Sequence, residues 1–126
     1  MKLCVTGGRK YSDRSTAFEV LDSTHELLSI DALAHGDAPG ADALADEWCL
    51  LRGVPCERFA AEWTRYRKPG RKNPAGAIRN RLMLSTFRPD VLIAFPGGSG
   101  TADCVATART LGITVLDLRE RLRDSG

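Results

Sequence analysis

The sequence predicts an α/β protein, a Rossmann-like three-layer α/β/α sandwich around a mainly parallel sheet of about five strands. Short apolar runs of strand length alternate with longer segments of helical period along the whole chain. Three glycine-rich turns, Thr6-Gly7-Gly8-Arg9, His35–Asp42 and Pro96–Thr101, each follow an apolar run and precede a helical segment. Val91–Phe95 is apolar throughout, as expected of a strand buried on both faces.

The elements follow in order. Lys2–Thr6 reads as the first strand. Asp13–Ser29 reads as a helix capped by Ser12 or Asp13, with Phe18, Leu21 and Leu28 on one stripe and His25 in solvent. Asp31–His35 is a short second strand. In Ala41–Arg52, residues Ala41, Leu44, Ala45 and Trp48 keep the i, i+3, i+4, i+7 spacing, and Gly53 supplies the stop. Pro55–Ala60 is a third strand and Glu62–Lys72 a loop. Asn73-Pro74 opens a third helix, asparagine as cap and proline at its first position, with Ala75, Ile78 and Leu82 as its apolar stripe. After Val91–Phe95 come a fourth helix, Ala102–Leu111, a last strand, Ile113–Leu118, and a basic tail through Arg119–Arg123. Such an order implies right-handed crossovers with helices on both faces.

One domain, residues 1–126, accounts for the chain, with no internal repeat or linker. A net charge of +2 and a pI near 8.4 allow an anionic ligand but fall short of the strongly basic balance of most nucleic-acid-binding domains. The start, Met1–Gly7, reaches glycine too early for a signal peptide, and no apolar run is long enough to span a bilayer. Cys4, Cys49, Cys56 and Cys104 form no C-x-x-C pair and read as reduced thiols without a disulfide or metal. A cytoplasmic protein without metal or resident cofactor is expected.

In a parallel sheet every strand-to-helix turn lies at the same edge, where helix N-termini offer free N–H groups and a positive dipole end to an anion. Pro96, Gly97, Gly98, Ser99, Gly100 and Thr101 therefore form the candidate phosphate cradle. The turn is neither a P-loop, because no lysine follows its last glycine, nor G-x-G-x-x-G. Gly7, Gly8 and Arg9 are placed on one side of the ligand; Gly36, Asp37 and Asp42 border its ribose. Asp42 also suits a structural role in the first turn of its helix, and His35 ends a strand at this edge, placed to meet a ribose or shuttle a proton. Arg79, beside Asn80, borders its helix's buried stripe and calls for an anionic partner. The segment Trp63–Lys72 interleaves five cations with two aromatic rings, a composition suited either to solvent or to bases and phosphates.

The GGR start, the HGDAPGAD turn, the Arg79-Asn80 helix and FPGGSGT, in that order, resemble the SLOG superfamily of Rossmann-like proteins, and most of all its YspA-like, cpYpsA-related branch. That superfamily includes LOG-type phosphoribohydrolases and the DNA-processing protein DprA. The resemblance implies a nucleotide-like ligand and a homo-oligomer, most simply a dimer. In the LOG-type pattern P-G-G-x-G-T-x-x-E, an arginine on the preceding helix and the closing glutamate carry hydrolysis. Arg79 matches the arginine, Cys104 stands at the glutamate, and Asp103 beside it is the remaining candidate acid. Three expectations follow: nucleotide binding first, hydrolysis of nucleoside 5′-monophosphates through Arg79 and Asp103 second, and DprA-like single-strand DNA binding through the basic loop and tail third.

Overall fold

The computed structural model describes residues 1–122; Arg123, the end of the basic tail, lies outside them. The chain alternates β1 (Lys2–Thr6), α1 (Arg14–Leu28), β2 (Ala32–His35), α2 (Ala41–Arg52), β3 (Cys56–Arg58), α3 (Ala75–Phe87), β4 (Val91–Ala94), α4 (Ser99–Thr110) and β5 (Thr114–Asp117). All pairings are parallel, in the order β3-β2-β1-β4-β5. The three-layer architecture expected from the alternation is present.

Strand side chains alternate between two cores. Leu3, Val5, Leu33, Ile93 and Phe95 meet Phe18, Leu21 and Trp48 of α1 and α2. Cys4, Ala34, Leu92 and Ala94 meet Met83, Leu84, Phe87 and Val105 of α3 and α4. This is the period-2 division of a sheet covered on both sides.

The helices start and stop for local reasons. Asp13 caps α1, its Oδ1 accepting the Thr16 N–H at 3.1 Å. Gly53 closes α2 with φ of 70°, a left-handed conformation that favours glycine. The third helix begins at Ala75 with Pro74, not Asn73, at the N-cap, one residue later than expected; Asn73, just before it, still accepts the Ala75 N–H through Oδ1 at 3.0 Å.

Several expectations are corrected. The buried face of α3 is Ala75, Asn80, Met83, Leu84 and Phe87, whereas Ile78 and Leu82 are 37% and 57% exposed. Asn80 takes the inward position because its amide finds three polar partners there, so a stripe drawn through apolar residues alone is rotated away from the core. Leu28, in the last turn of α1, is exposed rather than on the buried stripe. β3 keeps only Cys56–Arg58, having a partner on one side alone, and α4 starts at Ser99, three residues early. His25 is not a solvated side chain: its Nδ1 accepts the Ile30 N–H at 3.0 Å and its ring meets Trp48 edge-on. Among the described residues no helix is long and apolar enough to cross a membrane.

Candidate functional site

Because the strands are parallel, their carboxyl ends share one edge. The connection from β1 runs to β2 on one side, and the chain later crosses to β4 on the other. The reversal places the crevice of an open α/β sheet between the ends of β1 and β4. The three glycine turns converge there. Gly8 N donates to Pro96 O at 2.8 Å, and Ala41 N donates to Gly8 O at 3.1 Å. A Cβ on Gly7 would stand 2.5 Å from that of Ala41, and one on Gly40 2.1 Å from Gly8 O. A Cβ on Gly8 would stand 2.9 Å from Pro96 O, and one on Gly97 2.2 Å from Thr101 Oγ1. These four glycines let turn pack on turn.

Gly98 and Gly100 differ. They are exposed, and a Cβ on either would meet nothing within 4 Å. They sit at the start of α4, whose N-cap, Gly98, offers no side-chain bond, and whose first turn holds no acid. The other helix starts have partners: Asp13 caps α1, the first N–H of α3 goes to Asn73 Oδ1, and the first N–H of α2 goes to Gly8 O. Ser99 is exposed, while Thr101 is 4% exposed and tucked beneath Gly97.

Beside this turn a polar chain crosses from α3 to α4. Arg79 Nε donates to Asn80 Oδ1 at 2.9 Å, and Asn80 Nδ2 donates to Asp103 Oδ2 at 3.0 Å and to Gly100 O at 3.3 Å. Arg79 Nη1 donates to Gly36 O and Phe59 O. Asp42, 5% exposed, accepts the N–H groups of Gly36 (3.1 Å) and Ala38 (3.3 Å) through Oδ2. Burial holds its carboxyl above the usual range, although His35, the two backbone bonds and Arg79 pull the other way. A Cβ on Gly36 would meet Arg79 Nη1 at 2.1 Å and Asp42 Oδ2 at 3.0 Å, so guanidinium and carboxylate close over this glycine. Cys104 is fully buried, its thiol pushed up to about 11 by desolvation. Arg9 and Asp37 are exposed at the same edge.

A family model described as YspA, cpYpsA-related SLOG family matches residues 1–66, the stretch holding the first two glycine turns. The Gene 61 protein of Mycobacterium phage D29 is 34% identical over 128 residues, covering 95% of this chain and 98% of that protein. The chain belongs to the YspA, cpYpsA-related SLOG family. Membership points to nucleotide-related binding or processing.

Other features of this SLOG-family chain lie away from the crevice or were not foreseen. His35, 1% exposed, meets no ligand surface. Its Nδ1 accepts the Asp37 N–H at 2.9 Å, leaving the ring proton on Nε2, 2.8 Å from Asp46 Oδ1. Arg58 grips both oxygens of Asp46, at 2.7 and 3.1 Å. The His35, Asp46 and Cys56 donor atoms lie within 4.8 Å of one another, but the protonated Nε2 and the guanidinium fork make this a hydrogen-bonded cluster rather than a metal ligand set. No local pattern announces it, since its members come from β2, α2 and β3. Tyr11 was also missed: its ring lies 5.3 Å from Phe95 and its buried hydroxyl has no partner among the described residues. The basic loop is pinned by Trp63, which packs over Gly76 and accepts the Asn73 side-chain N–H at 2.8 Å through its carbonyl. Its cations are exposed. Arg119 of the tail is taken up by Asp117 through two bonds, at 2.9 and 2.7 Å. An open cleft of about 260 Å³ beside the cradle is lined by Pro96, Gly97, Asp117, Arg119 and Glu120. A larger one, about 330 Å³, lies at the opposite end of the sheet near Leu84, Arg88 and Leu111.

Proposed function

We propose that this chain binds the phosphate of a nucleotide or nucleotide-derived ligand at the N-terminus of α4, at the carboxyl edge of the sheet. The observation that carries the reading is the uncapped, acid-free first turn of α4, with Gly98, Ser99 and Gly100 exposed. Unsatisfied N–H groups and the positive dipole end suit a phosphate there, and glycine admits it closely. Gly97 and Pro96 shape the approach. Arg9 and Arg79 supply positive charge; neither is in an ion pair among the described residues. Gly7, Gly8, Gly36 and Asp42 hold the turns in place around the ligand, and exposed Asp37 borders its ribose. Two copies associate, consistent with the apolar Ile78 and Leu82 left exposed on α3.

Hydrolysis is a second reading, favoured by the bonded chain Arg79–Asn80–Asp103, which orients a carboxylate beside the cradle. It ranks lower because the buried, neutral Cys104 cannot stabilise a developing ribosyl cation.

Thermal stabilisation against a panel of nucleoside monophosphates, ADP-ribose and NAD, followed by chromatography, separates these readings. A melting shift with the nucleotide recovered intact is expected. Released base that disappears in Asp103→Asn makes the chain a hydrolase. No shift with any of them, together with salt-sensitive oligonucleotide binding, moves function to the Arg65–Lys72 loop.

A further inference from the structure

The cradle at the start of α4 has two flanks. The sheet order places β1 and β2, which lead into Arg9 and Asp37, on one side of β4, and β5 on the other. On the β5 side lies the open cleft of about 260 Å³ lined by Pro96, Gly97, Asp117, Arg119 and Glu120. Pro96 and Gly97 run directly into the cradle residues that follow them, so cleft and cradle are continuous. A nucleoside monophosphate with its phosphate on α4 and its ribose beside Asp37 leaves that second flank unused.

The polar wall of the cleft is held in place. Asp117 ends β5, and its carboxylate accepts Arg119 Nε at 2.9 Å, Arg119 Nη2 at 2.7 Å and the Arg119 backbone N–H at 3.1 Å. Arg109 of α4 stands 3.5 Å from the same carboxylate. The side chains of Asp117 and Arg119 are both about three-quarters buried. The guanidinium is thus fixed before any ligand arrives and loses little freedom on binding. Its Nε and Nη2 are committed to Asp117, and Nη1 is the nitrogen left to serve the cleft. Glu120, exposed beside it, brings carboxylate lone pairs for more than one donor. The lining sets two carboxylates against one guanidinium. That balance does not draw in a further phosphate, but donors and acceptors side by side match hydroxyl groups, which both donate and accept. At about 30 Å³ for each water-sized group, the space takes roughly nine of them, the scale of one sugar ring.

We propose that the ligand continues past its phosphate: the chain takes a nucleotide whose phosphate or diphosphate is linked to a sugar, with the linking phosphate on α4 and the sugar in the β5 cleft between Arg119 and Glu120. The inference rests on the phosphate reading above and narrows its ligand from nucleotides in general to sugar-linked ones. Arg119 donates to a sugar oxygen, Glu120 accepts from neighbouring hydroxyls, and Pro96 offers an apolar wall to the C–H face of the ring. Asp117 acts through Arg119, as the group that positions it. A nucleotide ending in phosphate makes none of these contacts, so they discriminate between the two classes of ligand.

Calorimetric titration of the chain with two series tests this: AMP, ADP and ADP-ribose, then UMP, UDP and UDP-glucose. Within a series the nucleoside is constant, so a difference reports what lies beyond the first phosphate. In at least one series the sugar-linked member is expected to bind about tenfold tighter than the monophosphate and the diphosphate, the gain from a pair of added hydrogen bonds. Arg119→Gln and Glu120→Gln are each expected to lower that ratio by roughly threefold, and the double variant to bring it close to one. Glu120 is exposed, so its variant keeps the test open if loss of the Arg119 fork unfolds the chain. Equal affinities throughout both series, a gain already complete in the diphosphate, or a gain kept by the substituted chains overturns the proposal and leaves the phosphate reading standing. No binding by any member removes both.

Discussion

Gly40 and Gly100 show how one residue type serves two ends. Gly40 has φ of 78° and its missing Cβ would strike Gly8 O at 2.1 Å, whereas Gly100 lies in the first turn of α4 with open space around it. Gly40→Ala is therefore expected to cost on the order of 2–4 kcal/mol in urea unfolding, through strain and overlap. Gly100→Ala is expected to gain up to about 1 kcal/mol from helix propensity. It also places a methyl group where the phosphate approaches, weakening the nucleotide by roughly tenfold, about 1.4 kcal/mol. Equal stability losses in the two variants would contradict this division. The positions of these glycines were legible in the sequence, but their roles were not, because a packing partner such as Gly8 O, against Gly40, comes from another turn.

At the scale of the element, α3 carries the clearest disagreement between pattern and fold. The residues at 80, 83, 84 and 87 keep helical spacing, yet the first of them is Asn80, and its partners Asp103 and Gly100 belong to α4. A reading confined to apolar residues selects Ile78 and Leu82 instead. The same limit hid the His35–Asp46–Arg58 cluster, assembled from three elements. What was legible was local: Asp13 as a cap, Gly53 as a stop, and the continuous apolar run of β4. The exposed Ile78 and Leu82 lead to an expectation of their own. Light scattering after gel filtration is expected to give a mass near twice the 13.7 kDa chain, reduced to that of a single chain in Leu82→Lys. A monomeric wild type, or a dimer unaffected by the substitution, places any association elsewhere.

For the molecule as a whole, the carboxylates set the response to acid. Arg52 beside Asp22, and Arg119 beside Asp117, lower those carboxyls to about 2, and Arg58 holds Asp46 below the usual range. Their folded values lie below the unfolded value of about 3.9, so the stability they contribute is present above pH 4 and lost as pH falls toward 2. Buried Asp42 has the opposite sign: its raised value favours the neutral form, and its contribution fades as pH rises. Three groups against one make a fall in the urea midpoint below pH 4 the expected result, with a shallower fall in Asp22→Asn. A midpoint constant from pH 5 to 2 would show that these ion pairs are equally formed in the unfolded chain.

The parallel order β3-β2-β1-β4-β5 brings the glycine turns to one crevice, and the central claim is that a nucleotide phosphate is held there by α4. Amide NMR of the 15N-labelled chain, titrated with a nucleoside 5′-monophosphate, tests it most directly. Saturable shifts confined to Gly97–Thr101 and the neighbouring Arg79 are the result this account expects. Saturation with those amides unmoved, or shifts centred on Arg65–Lys72, would contradict it.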